Sequence, residues 1–239
     1  PLGAQLYEYV KKGDGGAAYD GWRKATREKN NTLIVNQEMM NTAWHKLTES
    51  AEKYNNPGKF TAMIGFEWTS IPSGNNLHRN VLFRDNKTYA DQVTPFSAED
   101  SVDPEDLWKW MEAYETKTGG KVLAIPHNGN LSNGWMFDDI TLTSKKPLDR
   151  DYAERRQRWE KLYEVTQMKG TGEAHPSLST NDEFTNFEIW DKGSLGSGEA
   201  KTPAMLPREY AREALKRGLA YEAKLGVNPF KFGMVGSTD

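Results

Sequence analysis

The sequence has no cysteine, which excludes disulfides and thiolate metal sites; any metal must be held by His, Asp and Glu. Histidine is scarce as well, with four in 239 residues. No apolar run approaches the ~18 residues of a membrane span, and the opening PLGAQLYEYVKKGDGG lacks the basic, apolar and small-residue segments of a signal peptide. Neither sign of charge dominates, and a net charge of −3 gives no reason to expect nucleic acid as the main partner. The chain also contains no HxH, no HExxH, no GxSxG elbow and no GK[ST] phosphate loop. Zero cysteine fits either redox compartment and leaves the cellular location open.

What is present suits a soluble globular protein on the polar side, with 36% hydrophobic and 27% charged residues. The length allows one large α/β domain or two small ones. Most of the eight tryptophans are read as packing residues; Trp68 and Trp135 differ in lying beside candidate site segments. NTAWHKLTESAEKYN reads as a helix, FTAMIGFEW as a strand and LHRNVLF as a second strand after the loop IPSGNN. The clearest helix starts with Asp103 as N-cap and Pro104 at its first position, lines up Leu107, Met111 and Tyr114, and stops at Gly119-Gly120. The strand KVLAI follows. A further helix over 149–162 runs into the strand YEVTQM; Pro207 opens another that Gly218 closes, and the chain ends in the strand FGMVG. Helices alternating with short buried strands argue a parallel α/β sheet or barrel. Residues 193–204, GSLGSGEAKTPA, read as a flexible loop.

Chemistry concentrates at strand ends. His127 follows VLAI and Pro126, the rim at which parallel α/β folds place their sites. Asn128, Gly129, Asn130, Ser132, Asn133 and Gly134 come next, offering amides and accessible backbone N–H groups to an oxyanion, although an Asn/Gly turn reads the same way. Glu67 ends an apolar strand, where a carboxylate needs a partner if buried; a metal is one and Arg79 another. His78 opens the next strand. Asp239 ends the small-residue run GSTD, from which an aspartate reaches a metal without obstruction. Glu173 and His175 form a second cluster near Lys169 that a polar loop explains equally well, and His45 reads as a packing or surface residue of a helix. The residues alone therefore lead to a soluble α/β domain with an oxyanion or metal site.

Taken in order, NNPGKFTAMIGFEWTS, NLHRNVLFRD, PEDLWKWME, LAIPHNGNLSNG, QMKGTGEAHP and NPFKFGMVGSTD resemble the family catalogued as domain of unknown function 3604. That family is related to the polymerase and histidinol phosphatase (PHP) superfamily of metal-dependent phosphoesterases. The resemblance implies a single PHP-like α/β domain over 1–239: a distorted (β/α)7 barrel carrying two or three divalent ions, Zn, Mn or Fe, at one rim. It makes Glu67 the bridging ligand, His78 and His127 the two single-histidine ligands, and Asp239 the aspartate of a final DxH. The early HxH and the Asp-His segment have no counterpart before Glu67, and nothing follows Asp239. The chain is thus expected to be a fragment, a barrel lacking its first strand or strands, with copies able to associate through the incomplete edges.

The expected function of the intact protein is metal-dependent hydrolysis of a phosphoester or related oxyanionic ester; only part of the metal site is expected in this chain, which by itself is expected to be inactive or weak. Glu67, His127 and Arg79 are its expected catalytic residues; Asn128, Asn130, Lys169 and Trp135 are the expected contacts to a small oxyanionic substrate. The rival expectation is a non-enzymatic domain that binds a sugar or organic anion through its tryptophans and Asn-rich loop. The two differ in whether Glu67, His78, His127 and Asp239 converge.

Overall fold

A computed structural model describes residues 2–27, 37–194 and 200–239; residues 195–199 of the expected flexible loop lie outside the described residues. The chain divides into two compact units, Pro1–Lys46 and Leu47–Asp239. The first holds helices α1 (Leu2–Lys11) and α2 (Gly15–Arg27), the latter capped where Asp14 Oδ1 accepts the Ala17 N–H at 2.9 Å. Helix α3 spans Gln37–Tyr54. No described helix is long and apolar enough to cross a membrane.

The second unit is built on two small sheets. Strands β1 (Gly65–Trp68) and β2 (Arg79–Phe83) precede the one-turn helix α4 (Lys87–Ala90), helix α5 (Pro104–Thr118) and strand β3 (Val122–Pro126). Helix α6 (Arg150–Trp159), strands β4 (Leu162–Gln167) and β5 (Gly170–Thr171), helix α7 (Ala211–Leu225) and strand β6 (Gly233–Gly236) complete it. The first sheet has the order β1-β2-β3 and is antiparallel throughout. The second has the order β5-β4-β6, with β4 antiparallel to β5 and parallel to β6.

This mixed α/β arrangement corrects the expected (β/α)7 barrel. The described strands close no barrel, and only β4 and β6 are parallel neighbours, with α7 lying in the connection between them. The physical reason lies in residues 69–78. A parallel return needs a crossover of a dozen or more residues, and this shorter loop instead folds back through a 3-10 turn at Pro72–Gly74 and pairs β2 antiparallel to β1. Alternation of helix with strand is visible in sequence; strand direction is not.

Other expectations hold with adjusted limits. FTAMIGFEW is a strand only over its last four residues. Asp103 does cap α5, accepting the Glu105 N–H, and Gly119 ends it at φ +75°. Pro207 sits in a 3-10 turn, Leu206–Arg208, and α7 starts only at Ala211. Gly218 does not stop α7; it lets the helix pack on Asn228, whose Oδ1 would lie 2.2 Å from an added Cβ, and the helix closes at Gly226 instead.

The core lies between the first sheet and helices α5 and α6. Trp68, Val81, Phe83 and Ala124 are buried from the strands, and Leu107, Trp108, Met111 and Tyr114 from α5. The Phe83 and Tyr114 rings meet edge-on with centroids 5.0 Å apart. Within it sits an ion cluster. Glu160, at the end of α6, accepts from Arg79 Nε on β2 at 2.9 Å and from Trp108 Nε1 on α5 at 3.0 Å, and Arg156 Nε approaches its other oxygen at 3.1 Å. The three charged side chains are each no more than 3% exposed. Burial would raise the Glu160 carboxyl, but the Arg79 and Arg156 guanidiniums hold it below the usual range. Replacing Glu160 with alanine leaves two guanidiniums buried without an anion, so Glu160→Ala is expected to cost about 3–5 kcal/mol in urea denaturation; a loss under 1 kcal/mol would show that the cluster is not what holds this core.

Candidate metal centre

Strand register places three of the four expected ligands on one face. Glu67 pairs with Asn80 across β1 and β2, and Asn80 pairs with Ile125 across β2 and β3. His78 lies two residues before Asn80 and His127 two after Ile125, so the period of two along a strand turns all three to the same side. The alternate positions, Trp68, Arg79 and Pro126, which pair with one another across the sheet, face the core. The His127 N–H reaches the His78 carbonyl at 3.4 Å, extending the ladder to the two histidines.

The result is a compact triad. Ligand atoms of Glu67, His78 and His127 all lie within 4.8 Å of one another. Glu67 Oε1 is 2.7 Å from His78 Nδ1 and 3.5 Å from His127 Nε2, and the two imidazole planes cross at 81°. His127 is wholly buried and His78 nearly so, whereas the Glu67 side chain is 38% exposed. Despite these short distances, none of the four ring nitrogens has an aligned hydrogen-bond partner. Buried imidazoles normally satisfy their nitrogens; here one nitrogen of each ring, Nδ1 of His78 and Nε2 of His127, stands close to the same Glu67 oxygen. Ligands bonded to one ion at ~2.1 Å in tetrahedral array stand ~3.4 Å apart, and the Glu67 separations bracket that value. The donor set therefore fits a borderline divalent ion.

Asp239 stands at the edge of this triad, its Oδ1 3.7 Å from His127 Nε2. Gln167 Nε2 donates to Oδ1 at 2.8 Å, and the Lys169 ammonium sits on Oδ2. All four expected ligands thus gather at one place, together with Lys169.

The Asn-rich loop is braced rather than free. Asn128 takes a left-handed conformation at φ +52°, and both atoms of its buried amide are without a partner. The Gly129 N–H donates to the Tyr163 hydroxyl at 3.0 Å, and no side chain fits there, since an added Cβ would meet the Glu209 carbonyl at 2.4 Å. Asn130 commits its Nδ2 to the carbonyls of Lys169 and Trp190, so its role is to hold the β4–β5 turn. Lys201, 5% exposed, donates to the Asn130 carbonyl at 2.8 Å and to Glu209, whose Oε1 also accepts from Gly134 N–H. Asn76 Oδ1 accepts the His78 N–H at 3.0 Å, and Asn75 Oδ1 accepts from Asn133 at 2.9 Å, joining the loop before His78 to the loop after His127.

The remaining candidates lie elsewhere. The Arg79 guanidinium is held by Glu160, and the residue lines a cavity of about 30 Å³ with Trp135, Met136 and Tyr152. Lys145 lies over the Trp135 ring. Trp68 is buried and donates to the Ser101 carbonyl at 3.2 Å. Glu173 pairs with Arg212, and His175 is bound between Asp191 and Ser177. His45 is part of α3. Sequence reasoning passed over Asn75, Asn76, Tyr163, Gln167, Lys201 and Glu209. Their signal is weak in isolation because most act through a partner distant in sequence, as Tyr163 does on Gly129, Asn75 on Asn133 and Gln167 on Asp239.

The imidazoles of His127 and then His78 hold the Glu67 carboxyl far below its usual range, against burial. Burial pulls the His78 imidazole below its ordinary 6.5, an effect its contact with Glu67 offsets only in part. Both shifts have the same sign for linkage: the unfolded chain binds more protons, so their stability contribution is full at neutral pH and falls on acidification. The His78 part is lost as pH falls from about 7 through the folded value below 6.5, and the Glu67 part only below about 4.5. Denaturation midpoints of the metal-free chain are therefore expected to fall between pH 7 and 5.5, and to fall less in His78→Asn; equal slopes for both proteins would contradict the assignment.

A family model described as "Protein of unknown function (DUF3604)" matches residues 10–239. No curated protein and no solved structure matches the chain.

Proposed function

The chain belongs to the DUF3604 family of proteins of unknown function, and we propose that it carries the centre of a metal-dependent hydrolase of phosphoesters or related oxyanionic esters, allied to the PHP superfamily. The observation that carries this reading is the convergence of Glu67, His78 and His127 with unpartnered ring nitrogens, and with Asp239 beside them. A metal-free domain for a sugar or organic anion is disfavoured because the four expected ligands converge, two buried imidazoles meeting one carboxylate with a second beside them.

Glu67, His78, His127 and Asp239 would hold divalent ions, for which an oxygen and nitrogen donor set suits Zn, Mn or Fe. Bound ions of this kind lower the pKa of a coordinated water and polarise a phosphoryl oxygen. The chain's own groups supply the rest. Buried His78 and His127 close the floor of the site, and exposed Glu67 marks the side from which solvent and substrate approach. Glu67 stays ionised across the neutral range, since both imidazoles favour its charged form. Lys169 is the cation at the centre, and its Nζ is placed to bind a substrate oxygen in exchange for Asp239 Oδ2. Asn128 offers an amide without a partner for a further substrate contact. Arg79 supports the site from behind as the residue next to His78, fixed in the core by Glu160.

The test is turnover of p-nitrophenyl phosphate and bis-p-nitrophenyl phosphate by the chain supplied with Mn2+ or Zn2+, alongside bound metal measured by mass spectrometry. Glu67→Ala and His127→Ala are each expected to lose metal and at least ~10²-fold in rate. Unchanged metal content and turnover in either variant would overturn the reading.

A further inference from the structure

We infer that Gln167 is a positioning residue that orients Asp239 toward the Glu67–His78–His127 centre, through a closed ring of hydrogen bonds that includes Glu164 and Ser237. The inference rests on the metal-site reading above and adds residues to it that are not ligands.

The ring can be followed atom by atom. Gln167 Oε1 accepts the Lys169 backbone N–H at 3.1 Å, which settles which end of the amide is which. Nε2 is then the donor, and its two hydrogens go to Asp239 Oδ1 at 2.8 Å and Glu164 Oε2 at 3.3 Å. The other Glu164 oxygen, Oε1, accepts from the Ser237 hydroxyl. Ser237 Oγ in turn accepts the Asp239 N–H at 3.3 Å, closing the circuit. Every donor in it has an acceptor, and reversing the Gln167 amide would set its carbonyl oxygen against two carboxylates. Glu164 and Gln167 are each 4% exposed and sit on β4, while Ser237 and Asp239 follow β6 in the parallel pair. The Ser237 N–H also donates to the Thr166 carbonyl at 3.1 Å, so the segment after β6 is registered on β4 by main chain as well.

Asp239 has no strand of its own to direct it. Its carboxylate meets three side-chain groups, Gln167, Lys169 and His127. Lys169 is a flexible ammonium that a substrate anion can draw away, whereas the Gln167 amide is fixed at both ends. The side chain that keeps Oδ1 turned to His127 is therefore Gln167. Partners of this kind behind a metal-ligating carboxylate change affinity by about 10–100-fold when removed.

The experiment is calorimetric titration of the 239-residue chain with Mn2+ and with Zn2+, in wild type, Gln167→Met, Ser237→Ala and Asp239→Asn, with thermal unfolding of each metal-free protein. Gln167→Met keeps the side chain's length and removes only its amide. It is expected to weaken binding about 10–100-fold, approaching Asp239→Asn, with a lowered but still cooperative unfolding transition, since the Lys169 N–H and Glu164 Oε2 lose their partner. Ser237→Ala, at an exposed position, opens the ring from its other side and is expected to weaken binding by a smaller factor; it also decides the matter should Gln167→Met not fold. Wild-type affinity in both ring variants, with Asp239→Asn weakened, overturns the positioning role while the metal site stands. Wild-type affinity in Asp239→Asn removes Asp239 as a ligand and the inference with it. Absence of binding by the wild type refutes the metal-site reading and this inference together.

Discussion

One carboxylate holds together the parts that make the site possible. Glu160 is buried at the end of α6, where it gathers Arg79 from β2, Trp108 from α5 and Arg156 from its own helix. Arg156 reaches onward to the Met136 carbonyl, beyond the Asn-rich loop. The net charge of the cluster is positive, so it persists only because further acceptors, including the Leu77 carbonyl, satisfy the guanidiniums. Arg79 is the neighbour of His78, and anchoring one side chain in the core turns the next outward by the pleat. The chemistry on the outer face is thus set by an ion cluster on the inner one.

The same logic explains what was legible in the sequence. Glu67 and His127 stand at the ends of short β-branched and aromatic runs that local rules pick out, whereas His78 reads as ordinary alone and its role as a ligand comes only with the family resemblance. Asp103, Pro104 and Gly119 likewise delimit α5 by short-range chemistry. What could not be read depends on distant partners. Arg79 looks like a catalytic residue or a partner for Glu67 until Glu160, 81 residues later, takes its guanidinium inside. Gly218 looks like a helix stop until Asn228 is seen packed against it. Gln167 is one polar residue in a strand until Asp239, 72 residues on, is found beside it. The barrel expectation failed for a related reason: hydrophobic pattern reports that a strand is buried, and the connection decides which way it runs.

The loop after His127 shows how a run of small polar residues can be rigid. Asn and Gly are usually taken as signs of a pliable turn, yet this segment is buried and tied to Tyr163, Lys201, Glu209, Asn75 and the Lys169 carbonyl. Its glycines serve close packing, as the lack of room at Gly129 illustrates. Burial pushes the Glu209 carboxyl up, and Lys201 beside it opposes that shift. A polar network this enclosed resists rearrangement because breaking one bond strands a buried group.

The three clustered ligands are not held alike. Glu67 lies in β1 and His127 follows β3, the two outer strands of the sheet among the described residues, while His78 precedes the central strand β2; the His127 imidazole is wholly buried and the Glu67 side chain is 38% exposed. Whatever the cluster must adjust to falls first on the acid, whose side chain reaches solvent, while the two imidazoles are packed in. The give of this cluster is then a property of one half-exposed carboxylate held against two buried rings.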